Sequence, residues 1–548
     1  MKQRVKDVIE QGDKLFSAKA PLDSLMQRIA DHFYPERADF TTQRSLGDEF
    51  AAHLMTGWPV LMRRELGNSV AAMLRPRGKK WFRARTDSEQ VNQDPEARAW
   101  LDWASDTQMR VMYARSSQFM RATKEGDNDF ITFGQAVLSR ELMPDGSGLL
   151  YRCWHLRDCA WCENERQEVD TLHIRWNPTI RELKRLFPGK LAATLENELE
   201  RNPYRTVKCR RVVMPSDSYD LSYDGKTRKL PFVSLYIDCE NEVILEETPL
   251  ATFPYTIPRW VTVSGSQYAY SPATVVGLPD ARLLQDITLT LLESGQKAVD
   301  PPMKAVHEAI IGGLNLQAGG VSWVDRDYDE RMGAALEPAF QSQPRLDYGV
   351  QREEKVQQLL QRAFFLDQIR LPDLSDRSTA YEVQKRVEEY IRYALPLFEP
   401  LETEYNGAIC EGTFEDLLRV GAFGSPFDMP PILRGREIKF QFESPLQAAN
   451  DRAKAEAYVQ AANLLALTVP FDPSVKHDMN LDRAFRDALL ASGTPATWLT
   501  SEEEAAQAKA QEREQQAQQQ ALATMGQVAE TAGVAGEAAV TAQQAGII

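Results

Sequence analysis

The feature that most constrains this sequence is a pair of predicted helices joined by a short polar connector, within residues 348–421. The first helix is predicted over about 350–368, because apolar residues recur there at a spacing of three and four and so share one face. The connector occupies 371–378 and begins with Leu371-Pro372. On pattern alone, this arrangement fits an ordinary helical hairpin in a globular core.

The second helix of this pair is predicted to be long and kinked. It begins at Thr379, which matches a T-x-x-E capping box with Glu382, so that each side chain satisfies a backbone N–H of the first turn. Helical patterning then continues to about Leu418, with Pro396 and Pro400 inside it. Because a proline removes an intrahelical hydrogen bond and its ring clashes with the preceding turn, we expect a kink there.

Length and charge limit the classes of protein that this sequence can encode. A chain of 548 residues is too long for one small core, so about two to four subdomains are expected. The net charge of −15 argues against a general nucleic-acid coat, which needs basic surface to release the counterions of phosphate. The charge is compatible with a protein that lets DNA pass without gripping it.

Hydropathy and cysteine usage indicate the compartment. The hydrophobic fraction of 43% and the charged fraction of 26% are typical of a soluble globular protein. The sequence has no apolar signal core after Met1 and no run of about 18 apolar residues, so no membrane span is expected. Six cysteines do not make a disulfide framework, which indicates free thiols and synthesis in a reducing cytoplasm.

Up to residue 264 the pattern predicts an α+β region. Strand-like runs at 130–141 and 149–155 flank Asp145-Gly146, and a D-G turn between such runs is a strong hairpin signal. The other predictions here are helices within 1–75, 97–125 and 180–202, and strands at 171–176, 206–214, 232–237, 242–245 and 259–263.

The rest of the chain is predicted to be mainly helical, apart from one glycine-rich segment. A helix that runs to about Ala298 is stopped by Asp300-Pro301-Pro302. Short strands and tight turns are expected at 303–347, because its glycines permit positive φ. The predictions after the helical pair are a strand at 436–442, helices at 447–467 and 481–491, and an Ala/Gln-rich, partly disordered tail from Ser501.

Four residues around one C-x-x-C motif are candidates for a structural zinc site. They are Cys153, His155, Cys159 and Cys162. Such a site needs four ligands in tetrahedral geometry. Because no second C-x-x-C or H-x-x-x-H pair supports it, buried thiols in strands are the favoured interpretation, and no metal is expected.

The sequence contains no recognisable catalytic or ATP-binding motif. Residues 225–227 read Gly-Lys-Thr, as at the end of a P-loop, but Asp220 stands where that motif requires its first glycine. The basic and aromatic run at 75–82 is compatible with phosphate contact and base stacking, but it is more typical of a turn whose Trp81 and Phe82 anchor the next strand. We therefore expect no cofactor and no enzymatic activity.

Two stretches of the chain resemble the head-to-tail connecting proteins, or portal proteins, of short-tailed bacteriophages. The resemblance covers roughly residues 22–450, and the family usually has Gly-Arg before the Ser-Pro pair, where this chain has Ala269-Tyr270. The matching residues are Ser378-Thr379-Ala380-Tyr381-Glu382-Val383 after a helix that ends in Ala363-Phe364-Phe365, and Tyr270-Ser271-Pro272 with Leu278-Pro279-Asp280 before a helix that ends in Gln296-Lys297-Ala298-Val299-Asp300-Pro301-Pro302.

The resemblance implies the portal fold, an α+β architecture built from a wing, stem helices, a clip, a kinked long helix and a C-terminal helical crown. The implied parts are a wing at 1–264, a first stem helix at 265–302, a clip at 303–347, a second stem helix at 348–370, a channel loop at 371–378, a kinked long helix with a return strand of the wing at 379–450, a crown at 451–500 and the tail at 501–548.

The resemblance also implies a function. It implies a homo-oligomeric ring, twelve-fold in the family, at one vertex of the virion capsid, through which viral double-stranded DNA enters during packaging and leaves during ejection. The implied partners are terminase, scaffold and capsid proteins, and tail adaptor proteins. The alternative from another class is a DNA-processing enzyme or a packaging motor subunit, against which the missing P-loop argues.

The connector 371–378 is the candidate contact with DNA. One copy per subunit would form the constriction of the implied channel, whose acidic lumen would repel phosphates and let DNA slide. Arg370 and Arg377 flank the connector and are candidates for transient contacts with the DNA backbone. The alternative is that both arginines pair with Asp373, Asp376 or a neighbouring subunit.

Overall fold

The computed structural model contains both helices and strands in quantity, which confirms the α+β class. By internal contacts the chain divides into two compact units, residues 1–91 with 99–444 and residues 92–98 with 445–548. The structure describes residues 2–369, 401–442 and 445–491 apart from gaps, of which the longest are 220–229, 316–322, 339–345 and 472–479, and a few residues between 505 and 515.

The helices account for most of the regular structure. A π-helical turn, Leu401–Gly407, leads directly into one of them. In chain order the α-helices are α1 Lys2–Phe33, α2 Trp58–Leu74, α3 Glu89–Gln93, α4 Pro95–Met112, α5 Phe119–Phe133, α6 Ile180–Leu186, α7 Ala193–Leu199, α8 Pro272–Val299, α9 Leu346–Ala363, α10 Leu366–Ile369, α11 Ala408–Val420, α12 Pro445–Thr468 and α13 Leu481–Ala491.

The strands form one five-stranded sheet and several smaller ones, all antiparallel. The order of the large sheet is β4-β5-β6-β7-β8, a three-stranded sheet has the order β3-β2-β9, and the pairs are β1 with β16, β10 with β11, β12 with β15 and β13 with β14. The strands are β1 Phe82–Thr86, β2 Val137–Leu142, β3 Leu149–Trp154, β4 Cys159–Glu163, β5 Val169–Trp176, β6 Cys209–Pro215, β7 Phe232–Asp238, β8 Val243–Leu250, β9 Tyr255–Thr256, β10 Val261–Thr262, β11 Ala269–Tyr270, β12 Met303–Ala305, β13 Ile310–Ile311, β14 Trp323–Val324, β15 Leu336–Pro338 and β16 Ile438–Phe442.

The five-stranded sheet is covered by helices on both faces. Successive side chains of a strand point to opposite faces, so Val212 and Met214 of β6 lie on one side and Cys209 lies on the other. The first side packs against Val5 and Val8 of α1. The second side packs against α6 and α7, which makes the sheet the middle of three layers.

The pair β1 and β16 joins residues that are far apart in the sequence. Its register runs from Phe82 opposite Phe442 to Thr86 opposite Ile438. Trp81 and Phe82 are almost completely buried, and the ring of Phe82 lies edge-on to another aromatic ring of β16. These two aromatic residues therefore anchor a strand, as the structural interpretation of the run at 75–82 predicted.

The predicted hairpin around Asp145-Gly146 is confirmed, with one boundary corrected. Strands β2 and β3 pair in a register that ends with Leu142 opposite Leu149. The strand prediction from residue 130 is wrong at its start, because α5 continues to Phe133 and ends only at Gly134, whose positive φ closes the helix.

Two regions that were predicted to be helical throughout are interrupted in the structure. The helix predicted over 180–202 is two helices, α6 and α7, separated by residues 187–192. Pro188 disfavours helical conformation in the residue before it, and Gly189 adopts φ +77°. Similarly, the helical region predicted over 1–75 is interrupted by residues 34–57, which contain only the short 3₁₀ turn Pro35–Arg37.

We predict that Gly134→Ala destabilises the protein strongly. A β-carbon at Gly134 would lie 2.0 Å from the carbonyl carbon of Tyr270, and φ there is +77°. Overpacking and left-handed strain together predict a loss of about 3 kcal/mol or more in the free energy of unfolding. Gly189→Ala is the matched control, since it has the same φ with nothing within 4 Å of the added carbon. Equal shifts of the urea midpoint for the two variants would contradict this explanation.

Candidate functional site

Two long helices, α8 and α9, pack against each other as a hairpin, and this hairpin is the candidate functional site. The N-terminus of α8 is fixed to the end of α5: the Ser271 hydroxyl donates to the carbonyl oxygen of Ile131 at 2.6 Å, and the Thr274 hydroxyl donates to that of Thr132 at 2.7 Å. Ser271 is also the N-cap of α8, where it precedes Pro272. The Ser-Pro pair noted in the sequence therefore sets where this helix begins.

Small and polar side chains hold the two helices of the hairpin together. Gly349 of α9 lies so close to α8 that a β-carbon there would be 2.3 Å from Leu291 Cδ2. The Thr288 hydroxyl donates to Glu353 Oε1 at 2.9 Å. At the base, Phe364 packs against Phe33 of α1, with ring centroids 5.3 Å apart. The hairpin is thus closely packed internally and anchored to α1.

A glutamine clamps a surface segment onto α8. Gln285 Oε1 accepts hydrogen bonds from the backbone N–H groups of Met55 and Thr56, at 2.6 and 3.0 Å. Its Nε2 donates to the carbonyl oxygen of Thr56 at 2.9 Å. Both the oxygen and the nitrogen of this side-chain amide therefore position the segment before α2.

The exposed side of α8 carries both apolar and charged side chains. Val276, Leu283 and Leu289 lie on it, and Val276 is 64% exposed. Arg282 and Asp286 are exposed between them. Exposed apolar side chains with charged residues beside them are typical of a face that another protein covers.

The exposed side of α9 has a different character. Gln351, Arg352, Lys355, Gln358 and Arg362 are all exposed there. Leu359 is also 43% exposed on this side. The two helices therefore differ mainly in charge: both acids and bases are exposed on α8, whereas three bases share one side of α9.

The segment between the two helices forms small antiparallel ladders at the tip of the hairpin. Strand β12 pairs with β15, and β13 pairs with β14 between them. Trp323 is 71% exposed, and Ile311, opposite it in the ladder, is also exposed. Isolated two-stranded ladders are only marginally stable, so this tip also has the properties of a contact surface.

The connector itself lies outside the described residues. So do all four candidate site residues, which are Arg370, Asp373, Asp376 and Arg377, as well as the two prolines for which a kink is predicted, Pro396 and Pro400, and the P-loop-like segment 225–227. The next residue that the structure describes is Leu401, at the start of the π-helical turn. The kink and the four site residues remain predictions.

A buried charge network holds the π-helical turn. Arg75 pairs with Asp127, donates to Asn406 Oδ1 at 2.7 Å, and places its guanidinium 4.9 Å from the ring centre of Tyr405. Burial alone would lower the pKa of Arg75, but the attraction of Asp127 outweighs this and raises it. Arg75 belongs to the basic run at 75–82, and it serves as an internal anchor there, not as a phosphate contact.

A second buried arginine joins α11 to β2. Arg140 Nε donates to Asp416 Oδ2 at 2.7 Å, and Nη2 donates to the carbonyl oxygen of Phe253 at 3.0 Å. Gly412 provides the space, because a β-carbon there would be 2.0 Å from Arg140 Cζ. Sequence reasoning missed Arg75 and Arg140 as structural residues, since their carboxylate partners lie 52 and 276 positions away.

The structure does not bring the four zinc candidates together as ligands. Cys159 and Cys162 are three positions apart on β4, so their side chains point to opposite faces. Both ring nitrogens of His155 are already engaged: Nε2 lies 2.6 Å from Asp39 Oδ1, and Nδ1 accepts from the N–H of Arg157 at 3.0 Å. Burial raises the pKa of Cys159, which favours an unreactive thiol.

The described ranges of the chain contain no group of three or more histidine, cysteine, aspartate or glutamate residues that could hold a metal ion. No helix in those ranges has both the length and the apolar character that crossing a membrane requires. The six cysteines, all of them described, are free thiols.

Known proteins resemble this chain over most of its length. The model of the family described as "Bacteriophage head to tail connecting protein" matches residues 5–499. A relative from Salmonella phage epsilon15, named "Portal protein", is 21% identical over 545 residues, which cover 95% of this chain and 93% of the relative.

Two solved structures show a more distant likeness. One is the virion of a native gene transfer agent particle, with 9% identity and a TM-score of 0.36, covering 77% of this chain and 91% of that chain. The other is the neck of an empty gene transfer agent particle, with 11% identity and a TM-score of 0.33, covering 77% and 92%. Scores at this level carry no argument about the fold.

Proposed function

This chain belongs to the bacteriophage head to tail connecting protein family, and on that premise we propose that it is the portal subunit of a phage virion. The family is structural and not enzymatic. In the proposed function, copies of the chain are made in the host cytoplasm and assemble into a ring at one capsid vertex. Viral double-stranded DNA enters through the ring during packaging and leaves through it during ejection.

The observation that carries this proposal is the extent of the family match. It runs from residue 5 to residue 499 and so includes nearly all of the first compact unit, with the α8–α9 hairpin and its tip, and the part of the second unit up to residue 499. A local motif could be shared by unrelated proteins, whereas a match over nearly the whole chain supports a common architecture. The similarity to a protein named as a portal, over 95% of this chain, supports the same conclusion.

We assign the parts of the portal to the described elements as follows. Helices α8 and α9 are the stem, and the ladders β12–β15 and β13–β14 are the clip. Helices α1 to α7 with the five-stranded sheet are the wing, and α12 and α13 belong to the crown. The exposed Trp323 and Ile311 support a docking role for the clip, where terminase binds during packaging and tail adaptor proteins bind afterwards.

The exposed apolar residues of α8, among them Val276 and Leu283, support assembly into a ring, because a second copy that covers them removes apolar surface from water. The proposed number of copies is twelve, as in the family. Scaffold and capsid proteins then surround the outside of the ring.

The connector is proposed as the constriction of the channel, and this gives a testable prediction. Replacing both Arg370 and Arg377 by alanine should reduce the DNA retained per capsid while the ring still assembles, because two cations per subunit are lost from the narrowest point. The measurement is DNA content per purified capsid, with the particle mass of the isolated ring as the control. An unchanged DNA yield would reject a role of these arginines in holding DNA.

The experiment that tests the proposed function is the particle mass of the purified full-length chain, combined with electron microscopy. The proposal predicts closed rings with a central hole and a mass near that of twelve chains. The alternative, a DNA-processing enzyme or motor subunit, predicts DNA-stimulated nuclease or ATPase activity. Such an activity together with a particle that has no channel would contradict the proposal.

A further inference from the structure

Three cations form a stripe along the exposed side of α9. Arg352, Lys355 and Arg362 are all exposed, and none of them forms an ion pair or a side-chain hydrogen bond with another described residue. At about 100° of rotation per residue, the three side chains fall within an arc of about 80°. We refer to them as the α9 cation stripe.

The acidic residues of α9 are placed away from this stripe. Glu353 turns towards α8, where it accepts a hydrogen bond from Thr288 at 2.9 Å. Glu354 is exposed but lies outside the arc, about 80° from the nearest of the three cations. Acids and bases three or four positions apart pair along a helix, and no acid stands at that spacing from any of the three cations.

The contrast with α8 indicates what the stripe faces. The exposed side of α8 carries acids as well as bases, with Asp286 four positions after Arg282. The exposed side of α9 carries three cations that no described acid pairs with, although the chain as a whole has a net charge of −15. A positive stripe with glutamines beside it is suited to a polyanion that moves along it. Double-stranded DNA presents such a surface, with one negative charge per about 1.7 Å of its axis.

We propose that the α9 cation stripe contacts the phosphates of double-stranded DNA in the channel. This inference rests on the proposed function and deepens it, because it names a contact surface on the stem itself, apart from the connector. Each subunit contributes three cations spread over about 15 Å of helix, at about 1.5 Å per residue. In a ring they form three stacked circles of positive charge, which hold the duplex centred without reading its sequence.

The test uses full-length rings and a short, labelled, blunt-ended DNA duplex, with the dissociation constant measured over a range of salt concentrations. The variant Arg352→Gln/Lys355→Gln/Arg362→Gln should weaken binding at low salt by at least about tenfold and flatten the salt dependence, because fewer counterions are released. The control variant is Arg185→Gln/Lys190→Gln/Arg201→Gln, which removes three exposed cations from the α6–α7 region. It changes the net charge equally and should bind as the unmodified ring does.

The possible outcomes distinguish the proposed portal function from the proposed contact between DNA and the α9 cation stripe. If the unmodified chain forms no ring, the proposed function fails and the stripe has no channel to line. If rings form and both variants bind DNA as tightly as the unmodified ring, the inference is wrong while the portal assignment stands. If the stripe variant alone fails to form rings, the stripe is a subunit contact, which also overturns the inference. Retention of binding in Arg352→Lys/Arg362→Lys would support a role for charge alone.

Discussion

A variant with lysine at both Val276 and Leu283 should fail to assemble, so that the particle mass falls from that of a ring to that of a single chain. The two residues are seven positions apart, which places them one above the other on the exposed side of α8. In the proposed ring each is covered by the neighbouring subunit, and burying one such side chain contributes about 1.5–3 kcal/mol. A lysine loses this contribution and adds the cost of removing an ammonium group from water.

The effect is expected to be large because a ring repeats each contact at every interface. Several kcal/mol lost per interface are enough to shift the population of rings by more than about a hundredfold. Leu186→Lys is the matched control: it is an equally drastic change at an exposed leucine, but on α6, away from the hairpin. The α8 face has no role in assembly if the double variant forms rings as readily as the control does.

Arg75→Ala should cause the largest loss of stability among single substitutions in the described residues that we consider. It removes the cation that neutralises Asp127 and satisfies Asn406, and both partners are buried. Breaking a buried ion pair by removing one member costs about 3–5 kcal/mol, because the other charge remains buried without compensation. The measurement is the urea midpoint of the full-length chain.

The control for this prediction is an exposed ion pair. Arg121 and Glu125 pair at 3.0 Å on the surface of α5, and Arg121→Ala should cost no more than about 0.5 kcal/mol. A second variant, Asp127→Asn, removes the charge but keeps a hydrogen-bonding group, and we expect an intermediate loss. A shift for Arg75→Ala no larger than that for Arg121→Ala would mean that the buried network does not hold the π-helical turn.

Local signals in the sequence predicted many of the elements, because they act over a few residues. Asp145-Gly146 predicted the turn between β2 and β3. The start of α8 was predicted too late: the helix expected after Leu278-Pro279-Asp280 begins at Pro272, because Ser271 caps it there. Where prediction went wrong, a local stop signal was underweighted: Pro188 and Gly189 divided a helix that had been predicted as one. The α+β class followed from these patterns directly.

The contacts that hold the candidate site together could not be predicted in the same way. Arg75 was one cation in a basic run, and only the fold brings Asp127 and Asn406 to it. The space that Gly412 leaves for Arg140 depends on the packing of α11 against β2, which no spacing in the sequence reveals. Helical periodicity likewise identifies the exposed side of a helix but does not say which molecule covers that side.

The measurement that tests the central claim most directly is a cryo-electron microscopy reconstruction of the particle formed by the purified full-length chain. We expect a closed ring in which Val276 and Leu283 of α8 are buried between neighbouring subunits and the α9 cation stripe faces a lumen wide enough for duplex DNA. The clip ladders should lie at one end of the ring. A particle without a continuous axial channel, or a ring in which Val276 and Leu283 face solvent, would contradict the proposed function.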